Sequence, residues 1–408
     1  MRILIQKFGG TSVATPERRA QAAVKVSEAV GKGYSPVVVI SAIGRSGDPY
    51  ATDTFIKMVT SIYSEVPKRE LDLLMSCGEI ISGAVMVSTL QSLGLEAVLL
   101  TGGQAGIITN NCFGDAKIIQ IKQEKVLKHL EEGKVVVVTG FQGVTEDGQI
   151  TTLGRGGSDT TAAALGVALN AEAIDIYTDV EGIMTADPRI VEEAKILDVV
   201  TYNDISNLAH QGAKIIHPRA VEIAMQKNIP LRVKCTFSDA PGTLVTNMQP
   251  DMAEGSDLIG DKIITGIAHT PNITQIKVNI ENEDSKAQAA KRIFKGMALA
   301  DISVDFISVQ QDKILYTVRD EIGDRAVSIL KNMGFEPEAF PNCAKIALVG
   351  GGIADVPGVM ANMVETLADN NVEILQSADS HTTIWVLVKK EDMVVAVQSL
   401  HKKFQLEK

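Results

Sequence analysis

Aromatic side chains make up only 4% of the 408 residues, with a single Trp. The interior must therefore be filled mainly by aliphatic side chains, which the 45% hydrophobic content supplies. A basic excess is also missing. The 39 Lys and Arg against 50 Asp and Glu leave a net charge of -11, which argues against nucleic acid or an anionic membrane as the main partner. No apolar run approaches the roughly 18 residues of a membrane span. The opening MRILIQKFGG is too short an apolar stretch for a signal peptide. Cysteine is sparse as well: Cys77, Cys112, Cys235 and Cys343 form neither a CxxC pair nor a metal-ligand spacing. Free thiols in a reducing cytoplasm are the expectation. These absences leave a soluble, cytoplasmic chain with no protein-held metal.

What is present is glycine, 34 residues of it, set among alternating strand-like and helix-like runs. RILIQ, PVVVIS, KVVVVTG (134–140) and AIDIYTD (173–179) are short apolar runs with few polar interruptions, as covered parallel strands require. Helical patterns separate them. The fold class expected is α/β, with a mostly parallel central sheet covered by helices. In such sheets ligands gather at the carboxyl ends of strands. There lie the polar, glycine-bearing segments KFGGTS, SAIGRSGD, TLGRGGSD and YTDVEG.

A first domain is read over 1–246 and an acidic, aperiodic linker over 247–262. Beyond the linker the chain repeats itself. ADISVDFIS from Ala300 and ADNNVEILQS from Ala368 share the pattern A-D-x-x-V-[D/E] at an offset of 68 residues. Ala290, Ile293, Phe294, Met297 and Ala298 form one helix face; Val359, Met360, Met363, Val364 and Leu367 form its counterpart. Two ferredoxin-like βαββαβ units follow, over 263–341 and 342–408. FEPEAF would close the first. The second runs out of chain after Leu400, so IITGIA (263–268) is expected to fill its open edge.

Four loops carry charge suited to anions. TLGRGGSD is neither a P-loop nor a dinucleotide fingerprint. Arg155 among its glycines can fork onto a carboxylate or phosphate, and Ser158 or Asp159 can cap the helix that follows. A plain strand-to-helix turn explains the glycines equally well. QKFGGTS puts Lys7 just after the first strand, where Gly9 and Gly10 permit close backbone approach to an anion. A solvated lysine before a turn is the plain alternative. YTDVEGIMTADPR offers Thr178, Asp179, Asp187 and Arg189 for a nucleotide or its metal, or else only a succession of turns. HQGAKIIHPRA offers Lys214, while His210 and His217 read as structural or capping residues because Pro218 ends the helical pattern. Glu79 in SCGEIIS is a carboxylate on an otherwise small and apolar helix, bound to an ammonium group or solvated. Cations at strand ends suit phosphoryl transfer, which needs positioning and charge stabilisation, better than hydride transfer.

Taken together, KFGGTSV, VVVISAIG, TLGRGGSDTTAAAL, YTDVEGIMTADPR and PGTLV resemble aspartate kinase of the amino-acid kinase family, in order and over almost the whole chain. The duplicated tail resembles that family's paired ACT domains. The resemblance implies phosphorylation of the L-aspartate side-chain carboxylate by ATP, with Mg²⁺ arriving as the ATP complex and no tightly bound cofactor. It implies catalytic roles for Lys7, Asp159 and Lys214. Phe8, Gly9, Gly10, Thr178, Asp179, Met184, Thr185, Ala186, Asp187, Pro188 and Arg189 would join the two lysines around ATP. Ser41, Thr52, Glu79, Arg155 and Ser158 would hold aspartate, with Arg155 on the α-carboxylate and Glu79 on the ammonium.

For the tail it implies feedback by an amino acid, with Val359, Met360, Glu373, Ile374 and Ser380 as contacts near the DVPGV turn (355–359). The first copy has ENEDSKAQ at the matching place and lacks that Pro-Gly. GDPYATDT and SADSHTTIWVLV look like isoforms of spore-forming and related bacteria, which favours diaminopimelate as effector, with lysine or threonine next. A homodimer through the ACT units is implied, and an internal start near Met248 or Met252 is a family option. Two rival readings stand beside this one: a related kinase acting on glutamate, acetylglutamate, carbamate or UMP, since fold alone chooses no acceptor, and a non-catalytic amino-acid sensor.

Overall fold

The computed structural model describes residues 1–213, 215–247, 263–281, 285–353 and 356–408. They form two units. The first holds 1–183, 196–209 and the described residues 215–247; the second holds 184–195, 210–213 and the described residues from 263 onward.

In the first unit an eight-stranded sheet runs in the spatial order Val199–Thr201, Thr243–Thr246, Leu231–Cys235, Ala173–Thr178, Ile3–Phe8, Ser35–Ile40, Val135–Thr139, Ala97–Leu100. Every neighbouring pair is parallel except Leu231–Cys235 with Thr243–Thr246. The expected apolar runs are its centre, and Val37, Val38, Val39 and Ile40 are wholly buried, as double-sided cover demands. Helix Pro16–Gly31 covers one region of the sheet through Ala22, Ala23 and Val26, which pack with Phe8, Val38 and Ile40. It begins on Thr15, whose hydroxyl accepts from the Arg18 amide, with Pro16 in the first turn. Helix Gly157–Ala168 is nearly all small residues. A Cβ on its Gly166 would lie 2.5 Å from Ile174 Cδ1, so the helix sits directly on the strands. A second, four-stranded sheet orders Ile118–Ile121, Ile107–Thr109, Gln142–Val144, Ile150–Thr152.

Helix Lys68–Ser92 is the one described helix long and apolar enough, by length and composition, to cross a membrane. It nevertheless carries Asp72 and Glu79, both buried within the first unit.

The second unit is one six-stranded antiparallel sheet, not two separate ones. Its order is Asp305–Val309, Lys313–Arg319, Gly266–Asn279, Pro337–Val349, Thr383–Lys389, Gln376–Asp379. Two long strands join the repeats. Gly266–Pro271 pairs with Ala344–Val349 of the second copy, and Gln275–Val278 pairs with Pro337–Phe340 of the first. Register shifts near Pro271 and Ile273 let one strand serve both. Among the expected helix-face residues, Val359, Met363 and Leu367 are buried, but Val364 is 41% exposed; Thr366 takes the buried place.

Candidate active site

The carboxyl ends of the central strands converge on one set of loops in the first unit. Lys7 lies inside strand Ile3–Phe8, not after it. Its Nζ is 2.6 Å from Asp159 Oδ1, and both side chains are only 13% exposed. The contact is ionic and not an aligned hydrogen bond. Asp159 stands in the first turn of helix Gly157–Ala168, where backbone amides favour negative charge. The residue capping that helix is Gly156, at φ 69°, with no side-chain cap; Ser158 and Asp159 do not cap it. Ser158 fills the space beside Gly140, where an added Cβ would lie 2.7 Å from its Oγ.

Beside Lys7 the chain turns at Gly9 and Gly10. A Cβ on Gly10 would lie 2.6 Å from the carbonyl oxygens of both Ala42 and Gly44, so only glycine lets the two loops meet. The Gly44 amide donates to Gly10 O at 3.1 Å, and the Ser41 amide to Phe8 O at 3.2 Å. The next link is Ala42, whose amide donates to Glu79 Oε1 at 3.1 Å. Glu79 is 2% exposed, and its Oε2 has no hydrogen-bond partner among the described residues. Burial pushes its carboxyl up to about 8, against the pull of the Ala42 amide. Gly78 admits this approach too: a Cβ there would sit 2.9 Å from Ala42 Cβ and 3.2 Å from Tyr50 O. That brings Thr52, half-buried at the start of helix Thr52–Thr60, to the same corner.

Thr178 ends strand Ala173–Thr178 close by, and Asp179 follows it. Thr236 bridges Thr178 O (3.1 Å) to Ser12 Oγ (2.8 Å) in the turn after Gly10. Asp179 Oδ2 pairs with Arg45 Nη2 at 2.9 Å. Arg45 was missed from sequence, although a cation in the Gly-Ser loop SAIGRSGD is the same signal that marked Arg155. Arg155 is exposed, with no ion-pair partner among the described residues. His217 caps helix Pro218–Met225, its Nδ1 accepting from the Arg219 amide at 3.3 Å.

Lys214 and Asp355 lie outside the described residues. Part of the nucleotide lining expected from YTDVEGIMTADPR lies in the second unit. Thr185 is 4% exposed inside the second unit: its Oγ1 and His401 Nε2 are 2.9 Å apart, and its carbonyl accepts from the Ile267 amide at 2.7 Å. Ala186 packs in that unit's core with Ile346 and Val386. Both side chains are buried in that unit's packing. Met184, Asp187, Pro188 and Arg189 belong to the same unit, and Asp187 is spent on Arg189 (2.6 Å), which holds its carboxyl below the usual range.

Of the effector candidates, Val359 is core, 5% exposed, so its side chain serves packing. Met360 and Ile374 are partly buried beside it, Glu373 pairs with Lys389 at 3.6 Å, and the Ser380 amide closes a turn onto Thr383 O.

These features can be set beside known proteins. The amino acid kinase family model matches residues 2–235, and an ACT domain model matches 338–402. Aspartokinase 1 of Bacillus subtilis (strain 168) is 52% identical over 408 residues, covering all of both chains. Aspartokinase 2 of the same strain is 40% identical over 417 residues, covering 100% of this chain and 99% of its own. The crystal structure of E. coli aspartokinase III with aspartate and ADP, in its R-state, is 27% identical with a TM-score of 0.80, covering 98% of this chain and 99% of that one. Its T-state, with lysine and aspartate, matches at a TM-score of 0.75. The chain therefore belongs to the amino acid kinase family and, within it, to the aspartokinases that carry C-terminal ACT domains.

Proposed function

We propose how this site performs the aspartokinase reaction, the ATP-dependent phosphorylation of the L-aspartate side-chain carboxylate to 4-phospho-L-aspartate. That step opens the route to diaminopimelate, lysine, threonine and methionine. The reading rests on one juxtaposition: a cation, Lys7, held by Asp159 beside a glycine turn, and a buried carboxylate, Glu79, with a free oxygen, joined to that turn through Ala42 and Gly44. Lys7 would neutralise the migrating phosphoryl group, with the backbone of Gly9 and Gly10 against its oxygens. Asp159 would aim Lys7. Lys214 would supply a second cation. Glu79 would take the aspartate ammonium, Arg155 its α-carboxylate, and Ser41, Thr52 and Ser158 would complete that pocket. Thr178 and Asp179 would lie on the nucleotide's side, with Mg²⁺ entering as the ATP complex.

A hydroxamate assay tests the acceptor: acyl-phosphate formation with aspartate and not with glutamate or acetylglutamate is expected. In the same assay Arg155→Ala should raise the aspartate KM by roughly tenfold to a hundredfold with a smaller change in kcat, the size of a lost charge-assisted contact. An unchanged KM would remove Arg155 from the pocket.

The ACT repeat would place the enzyme under feedback by an amino acid, with Met360, Glu373, Ile374 and Ser380 the remaining contact candidates, and would pair two chains into a homodimer in the cytoplasm. Titrating diaminopimelate, lysine and threonine into the assay is expected to give inhibition by one of them, diaminopimelate first. Indifference to all three would dismiss the regulatory assignment.

A further inference from the structure

The proposed aspartate pocket has two arms on different elements. Glu79 stands on helix Lys68–Ser92; Arg155 stands on the loop that leaves strand Ile150–Thr152. Something must hold those elements at a fixed separation, because a bound group misplaced by about 1 Å loses much of its effect. The aspartate side of Glu79 offers no such link: its Oε1 accepts from the Ala42 amide, and among the described residues no hydrogen bond or ion pair joins Glu79 to Arg155.

The link is Asp72. It lies seven residues before Glu79, two helical turns away on the same face. Its side chain is wholly buried. Oδ2 accepts from the Thr152 amide at 2.8 Å and from the Gly114 amide at 2.9 Å; Oδ1 accepts from the Thr152 hydroxyl at 2.7 Å. One carboxylate thus takes three hydrogen bonds, two of them from the last residue before the glycine loop. Charge-assisted bonds of this kind are short and directional, and leaving such a buried charge without them would be costly.

The far side of the loop is braced as well. Arg219 donates to Leu153 O and Ala116 O, each at 3.2 Å. A Cβ on Gly156 would collide with the His217 ring at 2.2 Å, and one on Gly154 would meet Asp115 Oδ1 at 2.7 Å. Gly154 and Gly156 both have positive φ, 72° and 69°, so the loop has little freedom between its brace and its helix. Thr152 is the point at which the strand side enters that loop, and Asp72 ties it to the helix that carries Glu79.

We propose that Asp72 and Thr152 form a positioning pair that sets the separation between Glu79 and Arg155, and so govern the affinity for the amino-acid acceptor without touching it. The proposal rests on the assignment of those two residues to aspartate. The hydrogen bonds of Asp72 run to Gly114 and Thr152, and among the described residues none runs to Lys7, Asp159 or the Gly9–Gly10 turn, so the nucleotide side should not feel its loss.

The test uses the full-length enzyme and four variants: Thr152→Val, Thr152→Ser, Asp72→Asn and Glu79→Gln. Valine keeps the shape of threonine and loses the hydroxyl; serine keeps the hydroxyl and loses the methyl. The hydroxyl bond to a charged acceptor should be worth roughly fivefold to tenfold in the aspartate KM. T152V should therefore raise that KM by about this factor, with the ATP KM within about twofold, while T152S stays close to wild type. D72N, which turns an amide N–H toward donors, should raise it further. Should D72N fail to fold, as thermal melting would show, the Val and Ser pair still decides. A simple packing role predicts the reverse order, serine worse than valine, and that result overturns the proposal. So does T152V with an unchanged aspartate KM, or with both substrates' KM raised equally, while E79Q remains impaired for aspartate. If E79Q itself binds aspartate normally, the pocket assignment falls and this inference falls with it.

Discussion

Replacing Lys7 with methionine is expected to lower kcat by about a hundredfold to a thousandfold, the effect of removing one preorganised charge from a phosphoryl or oxyanion site. The geometry makes the loss specific to turnover. Lys7 Nζ sits 2.6 Å from Asp159, at 13% exposure, on a strand whose neighbours on both sides are fixed by parallel pairing. It cannot swing away into solvent as a surface lysine can, so its charge acts at one place. Methionine matches its four-atom stem without the ammonium and should leave the strand intact. The variant does strand Asp159 without its cation, and a half-buried carboxylate without a partner destabilises the fold to some degree. Thermal melting of Lys7→Met beside Lys7→Met/Asp159→Asn separates the two effects. The double variant should recover stability and recover no activity. Asp159→Asn alone should lower kcat less than Lys7→Met, because the charge survives and only its aim is lost. Stopped or steady-state kinetics at saturating ATP and aspartate measure all three. Turnover by Lys7→Met within a few-fold of wild type would mean that the transferring phosphate lies elsewhere.

Which features are legible in the sequence depends on which force decides each of them. The central strands were legible because PVVVIS and KVVVVTG are apolar without alternation, and only double-sided cover tolerates that. Gly10 was legible as a close approach, and the structure names what approaches: the carbonyls of Ala42 and Gly44. Asp72 was not legible. In KRELDLL it reads as one more charge on the exposed opening of a helix, and its partners stand 42 and 80 residues away. The surroundings of Thr185 and Ala186 were not legible for the same reason. They follow a strand end directly, so local sequence puts them with the strand-end loops, whereas their packing is set by Ile267, Val386 and His401. The join between the repeats was half visible. The short second copy announced a missing strand; that Gly266–Asn279 would bend at Pro271 to serve both copies needed the register itself. Val364 was counted on a helix face one residue too wide.

Aspartate binding near neutral pH should release about one proton, and Glu79 is its source. Its carboxyl is pushed up to about 8 by burial from an ordinary value of 4.5, so at pH 7 the unliganded site is mostly protonated. An ammonium group against Oε2, which has no partner within the described protein, favours the ionised form and drives the proton off. Aspartate affinity should accordingly rise about tenfold per pH unit up to about 8 and level off above it. Calorimetric titration with aspartate in two buffers of different ionisation enthalpy counts the proton directly. Glu79→Gln removes both the release and the pH dependence, and should raise the aspartate KM by about a hundredfold, as loss of a buried charged contact does. Stability of the free enzyme changes with the opposite sign. The folded carboxyl holds its proton up to about 8, while the unfolded one loses it near 4.5. The protonated folded form is therefore fully favoured below the lower value, and its advantage is lost as pH rises through the upper one. Thermal melts should show Glu79→Gln matching wild type near pH 4.5 and overtaking it by pH 8, because the unfolded wild-type chain gains an ionisation that the folded site withholds and glutamine has none to gain. A wild-type enzyme that binds aspartate with no proton release, and whose melting point tracks the glutamine variant across this range, would show Glu79 already ionised and paired with some other cation than the substrate's.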